Sequence, residues 1–189
     1  MIKTSLFTHH RLRGVIYAIL MGLTVIAMPL LQDANARNSA LNTMKPLDRT
    51  TPNTVVEQID GTAAPFAELV DRPMLVNFWA SWCPPCVREL PDLAMLDRAL
   101  AADGMAVMLV GIDRKGRDFA EAFLAEKGIK IPARVYEPSG KLPRELEIKV
   151  MPTSFLITAD GRMAGRIEGP LDWSSPQVIS AVRSALRGE

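Results

Sequence analysis

The sequence predicts an α/β fold with a mixed sheet, and three observations carry that reading. "MLVNFWA" (Met74 to Ala80) and "AVMLVGI" (Ala106 to Ile112) are strongly apolar runs, the mark of strands buried on both faces. Each is followed by a segment of helical periodicity, which implies parallel strands joined by crossover helices. Near the C-terminus "TSFLIT" (Thr153 to Thr158) meets Asp160-Gly161 and then "RMAGRIEG", an antiparallel hairpin.

The elements follow in order. "TVVEQI" (Thr54 to Ile59) reads as a short edge strand. After the first buried strand, "CVRELPDLAMLDRALAAD" places Val87, Leu90, Leu93, Ala94, Leu96 and Leu100 at helical spacing, with Pro91 expected to kink the helix. "GRDFAEAFLAEKG" is a helix with Asp118 near its start and Gly128 as its stop. "KLPRELEI" suggests a short helix. "SSPQVISAVRSALR" closes the chain as a helix capped by Ser174 or Ser175, with Pro176 in its first turn.

Upstream the chain changes character. Lys3, His9, His10, Arg11 and Arg13 precede the uncharged stretch Gly14 to Leu31, and "ANA" follows at Ala34 to Ala36. A basic start, an apolar run and an A-x-A site describe an export signal. The run has 18 residues, and roughly 17 to 25 make a membrane-spanning helix. Residues 1–36 are therefore a signal peptide or a membrane anchor: the long basic lead favours an anchor, the A-x-A cleavage. Either way the basic end stays in the cytoplasm and the rest is exported, to a periplasm where it is soluble or held at the inner membrane. Residues 37–53 are polar, contain proline and show no period, so they read as a linker. Residues 54–189 form the folded domain.

Charge narrows the function. The chain has 22 Lys and Arg against 21 Asp and Glu, which offers nothing to a nucleic acid. Three of those basic residues and one acidic residue lie in residues 1–36, so the exported part is left at −1. Both histidines lie there too. The exported part therefore has no Cys–His nucleophile. Its two cysteines alone fall short of the four Cys and His ligands usual in structural zinc sites. Its methionines (44, 74, 95, 105, 108, 151 and 163) are scattered, as core filling would be. No metal ligands and no prosthetic group are assigned.

The two cysteines stand in "LVNFWASWCPPCVRELP" as Cys83 and Cys86. An oxidising compartment favours their pairing, but a bridge across two residues closes almost no loop and stabilises little. Reactivity explains the pair better. Cys83 falls after a buried strand and at a helix start, where backbone N–H groups and the helix dipole stabilise a thiolate. Cys83 is then the attacking thiol and Cys86, one turn inside, the resolving thiol. Trp82 flanks the pair. Trp79 lies in the strand and reads as core packing. A CxxC alone is a weak signal; at a strand–helix junction in a β-α-β pattern it is much stronger.

This segment resembles the active site of thioredoxin-like proteins, and most closely that of the exported, often membrane-tethered TlpA/ResA type of thiol:disulfide oxidoreductase. "VMPTSFLITADGRMAGRIEG" resembles the proline loop and hairpin of those proteins, and "GPLDW" the segment before their last helix. The resemblance covers roughly Thr54 to Leu186. It implies a thioredoxin-like fold with a mixed central sheet flanked by helices, a redox-active Cys83–Cys86 disulfide, and a cis Met151–Pro152 bond. The Met151 backbone would pair with an extended substrate segment as a strand edge does. It also implies protein-disulfide substrates, with cytochrome c or copper-oxidase assembly factors among them, and a membrane thiol donor that recharges the dithiol.

One position departs from thioredoxin proper, whose first core strand carries a buried Asp associated with proton movement at the inner cysteine. Asn77 stands there, as it does in the TlpA type, and cannot titrate. Glu89, three residues after Cys86, and Asp113, at the end of the second strand, are candidate substitutes that read equally well as ordinary carboxylates. The prolines bear on direction. Pro84 and Pro85 have no N–H, so two donors that would stabilise the Cys83 thiolate are missing. A less stabilised thiolate points to a reductase. The competing readings are a periplasmic disulfide oxidase or isomerase and a non-catalytic thiol metal chaperone.

Overall fold

The computed structural model describes residues 44–188. The expectations for residues 1–36, as signal or anchor, lie outside the described residues. Within them, no helix is long and apolar enough to cross a membrane.

Eight strands form one mixed sheet: β1 (Met44–Thr50), β2 (Val55–Gln58), β3 (Ala63–Pro65), β4 (Met74–Trp79), β5 (Ala106–Gly111), β6 (Ala133–Tyr136), β7 (Thr153–Ile157) and β8 (Arg162–Glu168). Their order across it is β1-β8-β7-β4-β5-β6-β2-β3. Four helices accompany them: α1 (Pro84–Ala101), α2 (Arg117–Glu126), α3 (Lys141–Glu145) and α4 (Pro176–Arg187). The α/β class and mixed sheet expected from sequence are what the structure has. β4, β5 and β6 run parallel, and β7 runs antiparallel to β4.

The strand period of two explains the two cores. Leu75, Trp79, Val107, Leu109 and Leu156 face a layer that includes Leu90, Leu93, Leu96 and Leu100 of α1 and Val178, Val182 and Leu186 of α4. Val76, Phe78, Met108, Val110, Phe155 and Ile157 face the opposite layer, which includes Phe66, Leu142 and Leu146. Every residue of β4 is buried, as a strand covered on both faces requires. Asn77 shares the face of Leu75 and Trp79, two residues from each, so β4 delivers it to the α1 side.

Several expectations change in detail. Residues 44–50, read from sequence as linker, form β1, pairing with β8 from Met44↔Ile167 to Thr50↔Arg162. Polar residues suffice because this is an edge strand. Pro46, which has no N–H to give a ladder, sits at an irregularity in the register. Opposite it, a Cβ on Gly165 would fall 2.7 Å from Met44 Sδ, so the glycine makes room for that side chain. β2 is not an edge strand: it lies between β6 and β3, a three-residue strand too short to signal itself. β6 also goes unmarked in the sequence because its four residues, Ala-Arg-Val-Tyr, lack a sustained pattern.

Helix α1 continues through Pro91, which only removes the N–H that would reach the Val87 carbonyl. Its buried face starts with Cys86 and Glu89 rather than with Val87. Gly128, at φ 67°, follows α2, and Pro176 opens α4 after Ser175. The Ser175 hydroxyl donates to Gln177 Oε1 (2.7 Å) instead of capping the helix.

At the end of β5, Gly111 lies against a buried ring. A Cβ there would meet Tyr136 Cδ1 at 2.7 Å and Cε1 at 3.0 Å, and the Tyr136 hydroxyl is tied to Glu121. The ring has little room to yield. Gly111→Ala is expected to destabilise the fold by about 1–3 kcal/mol, read as a lower urea midpoint; an unchanged midpoint contradicts this packing.

Candidate active site

Strand β4 ends at Trp79, and the chain turns through Ala80, Ser81 and Trp82 into α1. The turn is fixed on both sides. Cys83 N–H donates to Ala80 O (3.1 Å). Asp113, buried at the end of β5, accepts from Ser81 N–H (2.9 Å) and from its hydroxyl (2.7 Å). Parallel pairing of β4 with β5 is what brings Asp113 to this turn. Asp113, one of the two carboxylates weighed as a proton carrier, is thus engaged in holding the loop.

Cys83 occupies the N-cap of α1, and Pro84 and Pro85 form its first turn. Cys83 and Cys86 are joined in a disulfide. The first N–H after the prolines, that of Cys86, points at Cys83 Sγ (3.3 Å). This single donor is what remains once two prolines replace the preceding ones. Cys83 retains 4% exposure and Cys86 none. Trp82, beside them, is 61% exposed, whereas Trp79 is buried against Phe123 (ring centroids 6.0 Å apart).

The Met151–Pro152 bond is cis. Pro152 is buried, and its carbonyl accepts from Gly169 N–H (2.9 Å). Thr153 Oγ1 donates to Val150 O (2.7 Å), closing the loop ahead of β7. Met151 packs on the cluster that contains both cysteines. Among the described residues no backbone hydrogen bond involves Met151. Val150, just before it, is exposed.

Glu89 is the residue that sequence reasoning left undecided. It is 3% exposed, one turn from Cys86 on the buried face of α1. Its carboxylate accepts from Asn77 Nδ2 (2.8 Å), Trp173 Nε1 (3.0 Å) and Leu171 N–H (3.4 Å). Asn77 Nδ2 also donates to Ser154 Oγ (2.9 Å), while Asn77 Oδ1 is buried without a partner. Burial raises the Glu89 pKa from 4.5 to about 7, against the opposing pull of its three donors; Asp92 adds a small push in the same direction. A titratable group therefore stands beside the position where thioredoxin carries its Asp, supplied by the helix instead of the strand. The only sequence signal was the i, i+3 spacing from Cys86. Among the described residues no group of three Cys, His, Asp or Glu side chains is placed to hold a metal ion.

A helix-capping cysteine pair after a buried parallel strand, with a cis-proline loop on the neighbouring strand, places the chain in the class of thioredoxin-like oxidoreductases. The chain belongs to the Redoxin family, which matches residues 46–183. It is 33% identical over 159 residues to the thiol:disulfide interchange protein DsbE homolog of Paracoccus denitrificans, covering 82% of each chain. It is 39% identical over 115 residues to the thiol:disulfide interchange protein HelX of Rhodobacter capsulatus, covering 59% of this chain but only 62% of HelX. The thiol-disulfide oxidoreductase ResA of Bacillus anthracis is 30% identical over 62% of this chain and 67% of its own. Among solved structures, a thioredoxin-family thiol:disulfide interchange protein of Chlorobium tepidum superposes with a TM-score of 0.59 at 26% identity, covering 75% of this chain and 99% of its own.

Glu89 gives the site a pH signature. Its pKa is higher folded than unfolded, so the folded state binds the extra proton. The stabilisation is complete below about 4.5 and is lost as pH rises through about 7. The oxidised protein is expected to lose on the order of 3 kcal/mol between pH 4.5 and 8 from this group, and Glu89→Gln is expected to flatten that slope. Denaturant melts across the pH range check it; an equal slope in the variant contradicts the assignment.

Proposed function

We propose that the chain is an exported thiol:disulfide oxidoreductase that reduces disulfides in other proteins. The observation that carries this is the Cys83–Cys86 pair at the α1 N-terminus, with Cys83 4% exposed and Cys86 fully buried one turn from the Glu89 carboxylate. In the dithiol form the Cys83 thiolate attacks one sulfur of a substrate disulfide. A Cys83–substrate bond forms, the substrate S–S bond breaks, and the first substrate thiolate leaves to be protonated. Cys86 then loses its proton, attacks Cys83 Sγ and expels the second substrate thiolate. The Cys83–Cys86 disulfide is left behind, and the two electrons of the dithiol now reside in the substrate.

Glu89 is suited to take the Cys86 proton. A carboxylate poised near neutrality, one helical turn away, gains and loses a proton readily. Asn77, Trp173 and the Leu171 amide hold it in place without competing for that proton. Met151, with its backbone unengaged ahead of the cis proline, offers an edge on which an extended substrate segment aligns. Trp82 and Val150 provide exposed apolar contact. The missing N–H groups of Pro84 and Pro85 leave the Cys83 thiolate with one nearby backbone donor, which disfavours the reduced form and so favours electron donation.

The N-terminal apolar segment supports export, and in an oxidising compartment a thiol donor in the membrane must return two electrons to the pair. Likeness to the DsbE homolog, HelX and ResA, with the family resemblance of the active-site segment, supports substrates among cytochrome c or copper-oxidase assembly factors.

Two variants test the roles. Cys83→Ser is expected to abolish reduction of protein disulfides. Cys86→Ala is expected to accumulate a dithiothreitol-sensitive adduct on Cys83, visible on non-reducing gels and identifiable by mass spectrometry. Full activity in Cys83→Ser, or no adduct in Cys86→Ala, contradicts the assignment.

A further inference from the structure

Beside Trp82 a groove of about 430 Å³ is lined by Ser81 and Trp82, by Asp113, Arg114 and Lys115 after β5, by Ser139 ahead of α3 and by Arg144 in its last turn. That volume lies in the range of ordinary ligand pockets.

The topology concentrates cations at this end. Segments leaving the parallel strands β4, β5 and β6 emerge together, and β7, antiparallel to β4, begins there. They carry Arg88, Arg114, Lys115, Lys141, Arg144 and Lys149. None of the six forms a salt bridge among the described residues, whereas nine other Lys and Arg residues do. The remaining unbridged cations among the described residues are Arg49, Arg98 and Lys130. Two of the carboxylates on the same loops are turned inward. Asp113 accepts from Ser81, and Glu137 accepts from the Ser139 hydroxyl and from Leu142 N–H (3.3 Å). Glu145 accepts from the Thr54 hydroxyl but, like Glu147, stands exposed. Arg144 is held at the groove by donation to Ser139 O (3.2 Å), and Lys115 rests over Phe119 (4.2 Å).

An excess of cations around a groove that begins at the residue next to Cys83 calls for an anion carried by the molecule under attack. We propose that this groove is a subsite for an acidic segment of the substrate polypeptide flanking its disulfide, with Arg114, Lys115 and Arg144 setting a preference for Asp or Glu there. The inference rests on the reductase reading. A flat anionic membrane is the poorer fit, because the groove is concave and shares Ser81 and Trp82 with the active site.

The probes are two disulfide peptides of equal length, one with Asp-Glu beside the cystine and one with Asn-Gln, offered to the pre-reduced full chain. Each turnover converts one peptide disulfide to two thiols and the Cys83–Cys86 dithiol to its disulfide. At low salt the acidic peptide is expected to react roughly tenfold faster. The ratio should fall toward one at about 1 M salt, where the Debye length is about 3 Å. Combining Arg114→Gln, Lys115→Gln and Arg144→Gln is expected to bring the low-salt ratio toward one, whereas Arg98→Gln with Lys130→Gln should keep it. A ratio of one in the native chain, or one that survives the triple change, overturns the groove and leaves the reductase reading standing. Reduction of neither peptide overturns both. Co-sedimentation with phosphatidylglycerol vesicles that the triple change abolishes, alongside a native ratio of one, assigns the cations to lipid and likewise overturns the subsite.

Discussion

Burying the Glu89 carboxylate ties together three parts of the chain that meet only in the folded state. Helix α1 carries it, β4 supplies Asn77, and the segment before α4 supplies Leu171 and Trp173. A buried carboxyl without partners is costly, so this side chain constrains all three. The helix must run with one face on β4, β4 must present Asn77 to that face, and the C-terminal segment must bring its indole over it. The same helix carries Cys86 one turn earlier, so the network also fixes the inner cysteine.

The outer cysteine is set by a different constraint. Asp113 holds Ser81 at the turn, and the turn leaves Cys83 as the cap of α1. Cys83 thereby keeps its small exposure and the helix dipole, while Pro84 and Pro85 withhold two donors. Cys83 keeps a 4% exposure with one backbone donor near its sulfur, and Cys86 is sealed one turn from a buried carboxylate. That division of labour suits electron donation to a bound disulfide.

Much of this was legible in the sequence because it is local. The unbroken apolar character of Met74–Trp79 marked a doubly covered strand, the spacing from Leu90 to Leu100 marked a helix face, and Asp160-Gly161 marked the hairpin. Spacing and position identified Cys83 and Cys86. The cis Met151–Pro152 bond came from the family resemblance, since a trans proline at a strand start is the ordinary expectation. What was not legible depends on partners far along the chain. Residues 44–50 look like a linker until β8 pairs with them, 121 residues away at Lys45↔Arg166. Glu89 looks like a surface carboxylate until Trp173, 84 residues on, closes over it.

The reduction potential of the Cys83–Cys86 pair tests the central claim most directly. It is measured by equilibrating the full chain in dithiothreitol or glutathione buffers and following the thiol state by alkylation. A reductase recharged by a membrane donor is expected to lie nearer thioredoxin's value, about −270 mV, than about −120 mV, the value of a strong oxidant. A potential at the oxidising end would contradict the account, because the pair would then take electrons from substrate thiols instead of giving them to substrate disulfides.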